Sequence, residues 1–143
     1  MNVATILTDK GRNVATARPD TPLLEIARKL AAKKIGAIVI VGEAGAVAGI
    51  VSERDIIRTI GTLGEDALKM PVADVMTKNV QTCQETSTID ELMDLMTRGR
   101  FRHMPVIEDG GLVGIISIGD IVKNHVAEVQ MEVTAMRCYL ATG

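Results

Sequence analysis

The chain has 143 residues, of which 47% are hydrophobic and 24% are charged. This length and composition predict a folded protein of one domain or two half-size ones, and they exclude a disordered chain, because there is ample apolar surface to bury. The formal net charge of −2 provides no strong positive field, so we expect neither nucleic acid nor a membrane as a partner.

Aromatic residues and cysteines are both scarce. Phe101 and Tyr139 are the only aromatic residues, so a planar ligand would have to lie between aliphatic side chains and some of the eight methionines. Cys83 and Cys138 are too few for a disulfide framework or a zinc site. Because the N-terminus also lacks the pattern of a signal peptide and no apolar run is long enough to span a membrane, we expect a cytoplasmic protein.

The first predicted elements are a short strand and an amphipathic helix. Residues 14–17 predict the strand, Thr21 is suited to capping the helix, and Pro22 is suited to its first position. Gly36 follows as a stop signal. The apolar residues of the helix recur at the spacing of one helical face: Leu23, Ile26, Ala27, Leu30 and Ala31.

A hairpin and a second helix come next. Residues 37–41 are apolar and mostly β-branched, which is typical of a buried strand, and residues 47–51 return as its partner after a turn at Gly45. Ser52 is placed to cap a helix that contains Ile56, Ile57 and Ile60.

The same elements recur in the second half. NVAT at 13–16 matches NVQT at 79–82, and GIVSERD at 49–55 matches GIISIGD at 114–120. Ser87 is expected to cap a helix, and the Asp109-Gly110 dipeptide is a strong signal for a two-residue hairpin turn. The sequence therefore predicts an α/β (α+β) fold with two tandem copies, 1–65 and 66–143. Each copy runs β-α-β-β-α, and we expect the two to pack about a pseudo-twofold axis with a cleft between them.

The residues after Asp120 predict a long C-terminal helix. Its apolar residues are spaced 4, 3, 4, 3 and 4 apart, which is a heptad seam. We interpret this seam as the interface of a homodimer; the alternative is a helix docked on its own domain. The seam consists of Val122, Val126, Val129, Val133, Met136 and Leu140.

This duplicated pattern resembles the CBS domain, and the whole chain resembles a stand-alone CBS domain pair, or Bateman module. The residues that carry the resemblance are GIVSERD and GIISIGD, RHMPV at 102–106, and Thr16 and Thr82 at the ends of the first strands. The resemblance implies a cleft that binds an adenosine-containing ligand: AMP, ADP, ATP, or in some relatives NAD or S-adenosylmethionine. It also implies a metabolite or energy sensor that acts on a separate effector protein without catalysis.

Two strand-to-helix junctions are the candidate ligand site. Ser52 and Ser117 each begin a helix, where free backbone N–H groups and the helix dipole suit a phosphate. Three residues later, Asp55 and Asp120 offer carboxylates that can accept hydrogen bonds from ribose hydroxyls, the role that the resemblance implies for them. The alternative is a capping box, in which the aspartate only reaches back to the helix start; the two roles can coexist.

Basic residues precede the central strand of the second copy but not of the first. They are Arg98, Arg100, Arg102 and His103. Because guanidinium groups bind phosphate with two hydrogen bonds, we interpret Arg102 and His103 as a phosphate clamp, with Arg54 and Arg58 as weaker candidates. A solvated surface charge is the alternative for each arginine.

The adenine ring is expected to lie beside strand residues, for which core packing is the alternative, above all for Ile38. Pro105 has no N–H group, which leaves neighbouring backbone groups free to contact an adenine edge. The expected adenine contacts are Thr16, Ala37, Ile38, Thr82, Met104 and Pro105.

No motif supports catalysis. Neither histidine lies in a nucleophile or metal-binding motif, and there is no glycine-rich phosphate loop. We therefore predict a protein without catalytic activity, catalytic cofactor or metal site. A ligand-independent assembly protein is the competing hypothesis.

Overall fold

The computed structural model describes residues 1–142 as a mixed α/β fold with five α-helices and two small sheets. Three 3₁₀ turns lie at Glu43–Gly45, Gly64–Lys69 and Val72–Asp74. The helices and strands follow in the order α1 (Val3–Lys10), β1 (Thr16–Ala17), α2 (Leu23–Lys33), β2 (Ala37–Val41), β3 (Val47–Ser52), α3 (Glu53–Leu63), α4 (Ile89–Gly99), β4 (His103–Glu108), β5 (Gly111–Ser117) and α5 (Ile118–Thr142).

The two sheets differ in size. In the first, β1 runs parallel to β2, and β2 pairs antiparallel with β3. The second holds only the β4–β5 hairpin, because residues 79–82 do not form the strand that their match to 13–16 predicts. The parallel pairing starts one residue later as an isolated bridge, in which the Cys83 N–H donates to the Pro105 carbonyl at 3.0 Å.

The predicted β4–β5 turn is confirmed. Asp109 and Gly110 have φ values of 50° and 76°, the left-handed conformations that a two-residue hairpin turn requires. Met104 pairs with Ile116 across this hairpin, as the sequence pattern indicates.

Two predicted helix caps are wrong. Helix α2 starts at Leu23, and Pro22, not Thr21, holds the capping position. Thr21 instead lies in a turn in which its carbonyl accepts the Val72 N–H at 2.8 Å. Helix α4 is capped by Thr88 rather than Ser87, because Thr88 and Glu91 satisfy each other's backbone N–H groups in a capping box.

Each half of the molecule has its own core, but each core includes a segment from outside the predicted copy. Val3, Ile6 and Leu7 of α1 are buried with the second half, next to α4 and the β4–β5 hairpin. Ala67 and Val72, beyond α3, are buried in the core of the first half. The chain therefore crosses between the halves at both ends of the first copy, and this crossing ties them together.

None of the helices in residues 1–142 combines the length and apolar character needed to cross a membrane.

Candidate functional site

A cavity of about 760 Å³ lies between the two halves. A space of this size matches a nucleotide-sized ligand. Its lining combines the start of α3, residues 79–81, the end of α4 with the start of β4, and the start of α5. The site is therefore composed of both halves of the chain.

Seven of the predicted site residues line this cavity: Ala37, Ser52, Arg54, Asp55, Arg102, His103 and Ser117. The other six do not: Thr16, Ile38, Thr82, Met104, Pro105 and Asp120.

The first junction combines a helix cap with a cavity wall. The Ser52 N–H and hydroxyl donate to Asp55 Oδ2 at 2.9 and 3.1 Å, and Ser52 Oγ accepts the Asp55 N–H at 3.4 Å. This is the capping box that the sequence left as an alternative. The other carboxylate oxygen of Asp55 lies 3.6 Å from the exposed Arg58 guanidinium. The only ionic partner of Asp55 Oδ1 among residues 1–142 is therefore this exposed guanidinium, which leaves the oxygen available to a ligand hydroxyl.

The second junction has the same cap but a different neighbour. The Ser117 N–H and hydroxyl donate to Asp120 Oδ2 at 2.9 and 3.0 Å. In addition, Lys10 Nζ at the end of α1 donates to the same oxygen at 2.7 Å and to the Ile115 carbonyl at 2.9 Å. Asp120 thus holds α1 against the start of α5. Of the two residues of this capping box, Ser117 lines the cavity and Asp120 does not.

The environment of Asp120 changes its pKa. Burial alone raises the pKa of this carboxyl, but the hydrogen bonds from Lys10 and Ser117 outweigh burial and lower the pKa below its ordinary value. A carboxyl with a lowered folded-state pKa stabilises the fold above its unfolded pKa, and this contribution is lost as the pH falls through the folded value.

We expect Lys10→Met to reduce this acid sensitivity. At pH 7 the variant should be less stable than the wild type by about 1 kcal/mol or less, because the ion pair is partly exposed. The difference should shrink toward pH 3, because the stability that the lowered pKa provides declines once the pH falls below the ordinary carboxyl value. Urea unfolding at the two pH values measures this, and an unchanged difference would contradict the assignment.

Of the six expected adenine contacts, Ala37 lines the cavity and the other five lie elsewhere. The side chains of Ile38 and Met104 are fully buried in the two cores, and Pro105 is buried beside Met104. Thr16 pairs with Val39 in the first sheet, and Thr82 is exposed outside the cavity. Core packing, the alternative for the strand residues, explains Ile38 and Met104.

Sequence reasoning missed several residues of the cavity wall. Residues 79–81 face the start of α3 because Thr77 and Ile50 exchange backbone hydrogen bonds of 2.9 and 3.0 Å. The match of NVQT to NVAT identifies this segment as a repeat of residues 13–16, but it does not indicate which half of the molecule the segment contacts. The missed apolar lining residues are Ile50, Val80, Leu95, Phe101 and Ile118.

Five arginines line the cavity against two acidic residues, Glu53 and Asp55. Arg98 pairs with Asp94 at 3.1 Å, and Arg58 lies near Asp55. Within residues 1–142, the other three have no acidic partner within 4.0 Å, so they are available to an anion: Arg54, Arg100 and Arg102.

His103 lies where the two halves meet. A Cβ atom at Gly36 would lie 3.3 Å from its imidazole ring, so the contact between the halves leaves no spare room there. Burial lowers the pKa of His103, and Lys10 and Arg102 lower it further against the opposing effects of Glu53 and Asp120. The lowered pKa favours the neutral form of the imidazole at pH 7.

Two segments of the chain, residues 4–62 and 72–126, match the family described as CBS domain. The CBS domain-containing protein CBSX3, mitochondrial, of Arabidopsis thaliana is 36% identical over 129 residues, which cover 87% of this chain. The chain spans about three fifths of the length of this and two further curated relatives (62%, 66% and 58%).

Solved structures with the same fold include the CBS-domain containing protein ATU1752 from Agrobacterium tumefaciens. It is 50% identical, with a TM-score of 0.83 over 85% of this chain and 91% of that one. The CBS domain pair of protein MJ0100 is 26% identical, with a TM-score of 0.79 over 90% of this chain and 98% of that one. That structure is a complex with 5′-methylthioadenosine and S-adenosyl-L-methionine.

Proposed function

Since the chain belongs to the CBS domain family, we propose that it is a regulatory protein that binds an adenine nucleotide between its two halves. AMP, ADP, ATP and NAD are the candidate ligands. The observation that carries the proposal is that the Asp55 carboxylate, two helix N-termini and three arginines without an acidic partner line one nucleotide-sized cavity. The adenosine compounds bound by the related MJ0100 pair support the same class of ligand.

Asp55 is the residue that we assign to the ribose. Asp55 lines the cavity and its Oδ1 atom takes no part in the helix cap, whereas Asp120 is paired with Lys10 and is not among the lining residues. Two hydroxyls of a ribose can donate to one carboxylate, as the family resemblance implies. Use of Asp120 in the same way would require Lys10 to move.

The phosphates are assigned to the opposite side of the cavity. The N-terminus of α5 lines the cavity with Ser117, Ile118 and Gly119, where the helix dipole favours an anion. Arg102 is its neighbour, because the Arg102 carbonyl accepts the Ile118 N–H at 2.8 Å, and its guanidinium can bind phosphate. Arg54 and Arg100 extend the positive surface, so a ligand with more phosphates finds more partners. The adenine ring then falls against the apolar part of the wall, between Ile50, Val80 and Phe101.

Ligand binding regulates only if it favours one arrangement of the protein over another. Gly36 and His103 both line the cavity, and their contact joins the two halves. A bound nucleotide can therefore change the packing of one half against the other. The proposed output is a change in a surface that a separate effector protein recognises, with a coupling of about 1–3 kcal/mol.

The proposed protein forms a homodimer and acts in the cytoplasm. The exposed apolar seam of α5 supports self-association, and the free cysteines suit a reducing compartment. The relative CBSX3 is named as mitochondrial. Regulation rather than catalysis is the role that family membership supports.

A ligand-independent assembly protein is the competing function. Both capping boxes form all of their hydrogen bonds without a ligand. In an assembly protein, Ser and Asp at these junctions would serve as helix caps alone. Thermal unfolding in the presence of AMP, ADP, ATP, NAD and S-adenosylmethionine separates the two. A ligand at one hundred times its Kd should add about 2.7 kcal/mol of stability, and no shift with any of the five compounds would favour assembly.

We expect Arg102→Ala to weaken nucleotide binding in proportion to the number of phosphates. The loss should be about threefold for AMP and about tenfold or more for ATP, because charge-assisted hydrogen bonds to phosphate are removed. Calorimetric titration measures both constants. Arg28→Ala, at an exposed position on α2 outside the cavity, is the control and should bind as the wild type does. Equal losses for AMP and ATP would contradict the phosphate assignment.

A further inference from the structure

The C-terminal part of α5 stands clear of the rest of the molecule. The Met1 ammonium forms an ion pair with Glu128 at 3.0 Å, and every residue from 129 to 142 is exposed. The six seam residues are between 42% and 69% exposed. Helices in proteins gain most of their stability from packing of an apolar face, so a partner surface on the seam would stabilise this part of α5.

The seam is not the face that packs on the domain. Ile121 is the buried residue of α5 and marks the inner face. At 3.6 residues per turn, the seam centre lies more than a quarter of a turn away from Ile121, on the side that points into solvent. Self-docking of the helix therefore leaves the seam uncovered.

Heptad positions follow directly from the seam spacing. Val126, Val133 and Leu140 take position a, and Val122, Val129 and Met136 take position d. Val126 and Val133 are β-branched residues at position a, a feature of two-stranded coiled coils, whereas position d holds valine and methionine in place of the leucine of such coils. Cys138 takes position f, on the outside of such a pair.

The charged residues beside the seam distinguish the two possible orientations. In a parallel pair, Glu132 at position g faces Arg137 at position e of the second copy, and this attraction occurs twice by symmetry. In an antiparallel pair, e faces e and g faces g. Lys123 would then face Arg137, and Glu132 would face Glu132, so every charged pair would repel.

We propose that α5 forms a parallel, in-register, two-stranded coiled coil with α5 of a second copy of this chain. This proposal rests on the homodimer of the proposed function and specifies its interface and orientation. The seam supplies the apolar contact, and the Glu132–Arg137 pairs select the parallel arrangement.

Cysteine cross-linking of the full chain tests the orientation. In a Cys138→Ser background, Met136→Cys places two thiols at the same d position of a parallel pair, within reach of a disulfide. Oxidation by dioxygen with copper phenanthroline should convert most of this variant to a covalent dimer on a non-reducing gel. The wild type, with Cys138 on the outer face, is the matched control and should remain largely uncross-linked.

In an antiparallel pair, position 136 would face position 126 instead. Met136→Cys alone would then not cross-link, whereas its mixture with Val126→Cys would, and that pattern would overturn the proposal.

Charge reversal gives an independent test by sedimentation equilibrium. Glu132→Arg or Arg137→Glu alone should weaken the dimer about threefold to tenfold, and the double variant should restore it. Weakening by both changes without restoration would overturn the parallel pairing. A 15.3 kDa species at all concentrations would overturn the homodimer itself. Neither outcome affects nucleotide binding, which is measured separately.

Discussion

Replacing Leu7 by alanine is expected to lower the free energy of unfolding by about 2–5 kcal/mol, the range for a large-to-small change in a packed core. Leu7 is fully buried although it lies only seven residues from the N-terminus. Its side chain packs so closely on β5 that a Cβ atom added at Gly114 would lie 2.7 Å from Leu7 Cδ2. The truncation therefore removes a contact between the start of the chain and its second half.

Urea unfolding monitored by circular dichroism measures this loss. Leu63→Ala is the matched control, because Leu63 is also a helical leucine but is exposed at the end of α3. It should cost less than about 1 kcal/mol. If both variants lost the same small amount, α1 would not be part of the second core.

Replacing Asp55 by asparagine is expected to weaken nucleotide binding by about tenfold or more, because an amide has one acceptor oxygen and no charge, so it cannot serve both Ser52 and the ribose hydroxyls as the two carboxylate oxygens do. The substitution would also remove the carboxylate of the α3 capping box, so a fall in stability alone would not identify a binding role. A control variant that loses the equivalent capping carboxylate outside the cavity separates the two effects.

Asp120→Asn is that control, since Asp120 forms the same capping box with Ser117 but lies outside the cavity. It should lower stability through the loss of the Lys10 ion pair, yet leave nucleotide affinity within about twofold of the wild type. Calorimetric titrations of the two variants with the same nucleotide measure the two affinities. Stronger impairment by Asp120→Asn than by Asp55→Asn would reverse the ribose assignment.

Local patterns in the sequence predicted most of the fold. The family resemblance is confirmed, as are the α/β class and the long C-terminal helix. The hairpin turn at Asp109-Gly110 and the cap at Ser52 were predictable because both depend on residues within four positions of each other. The errors at Thr21 and Ser87 are both shifts of one residue at a helix start. At α4 the neighbouring hydroxyl residue Thr88 takes the cap from Ser87, and at α2 Pro22 holds the capping position without a side-chain hydrogen bond.

The crossing of the chain between the halves was not predictable in the same way. Nothing near Val3 or Leu7 indicates that α1 packs on β5, because that choice depends on a surface more than one hundred residues away. The ion pair between Lys10 and Asp120 follows from this crossing. It makes two junctions with equivalent sequences structurally different, with one carboxylate at the cavity and the other in a structural contact.

About half of the candidate site was predictable, because only part of it depends on residues that are close together in the sequence. The serine junctions and Arg102 carry signals in their own types and spacing, and they line the cavity. The expected adenine contacts came from strands whose side chains fill the two cores. The apolar wall that replaces them combines residues from both halves, such as Ile50 and Phe101, and only the tertiary arrangement brings them together.

Isothermal titration calorimetry of the wild-type chain with ATP, AMP and S-adenosylmethionine tests the central claim most directly. We predict saturable heat with at least one of these compounds and a matching loss of that heat in Asp55→Asn. Titrations that show no binding heat for any adenosine compound, at several temperatures, would contradict the assignment of the cavity as a nucleotide site.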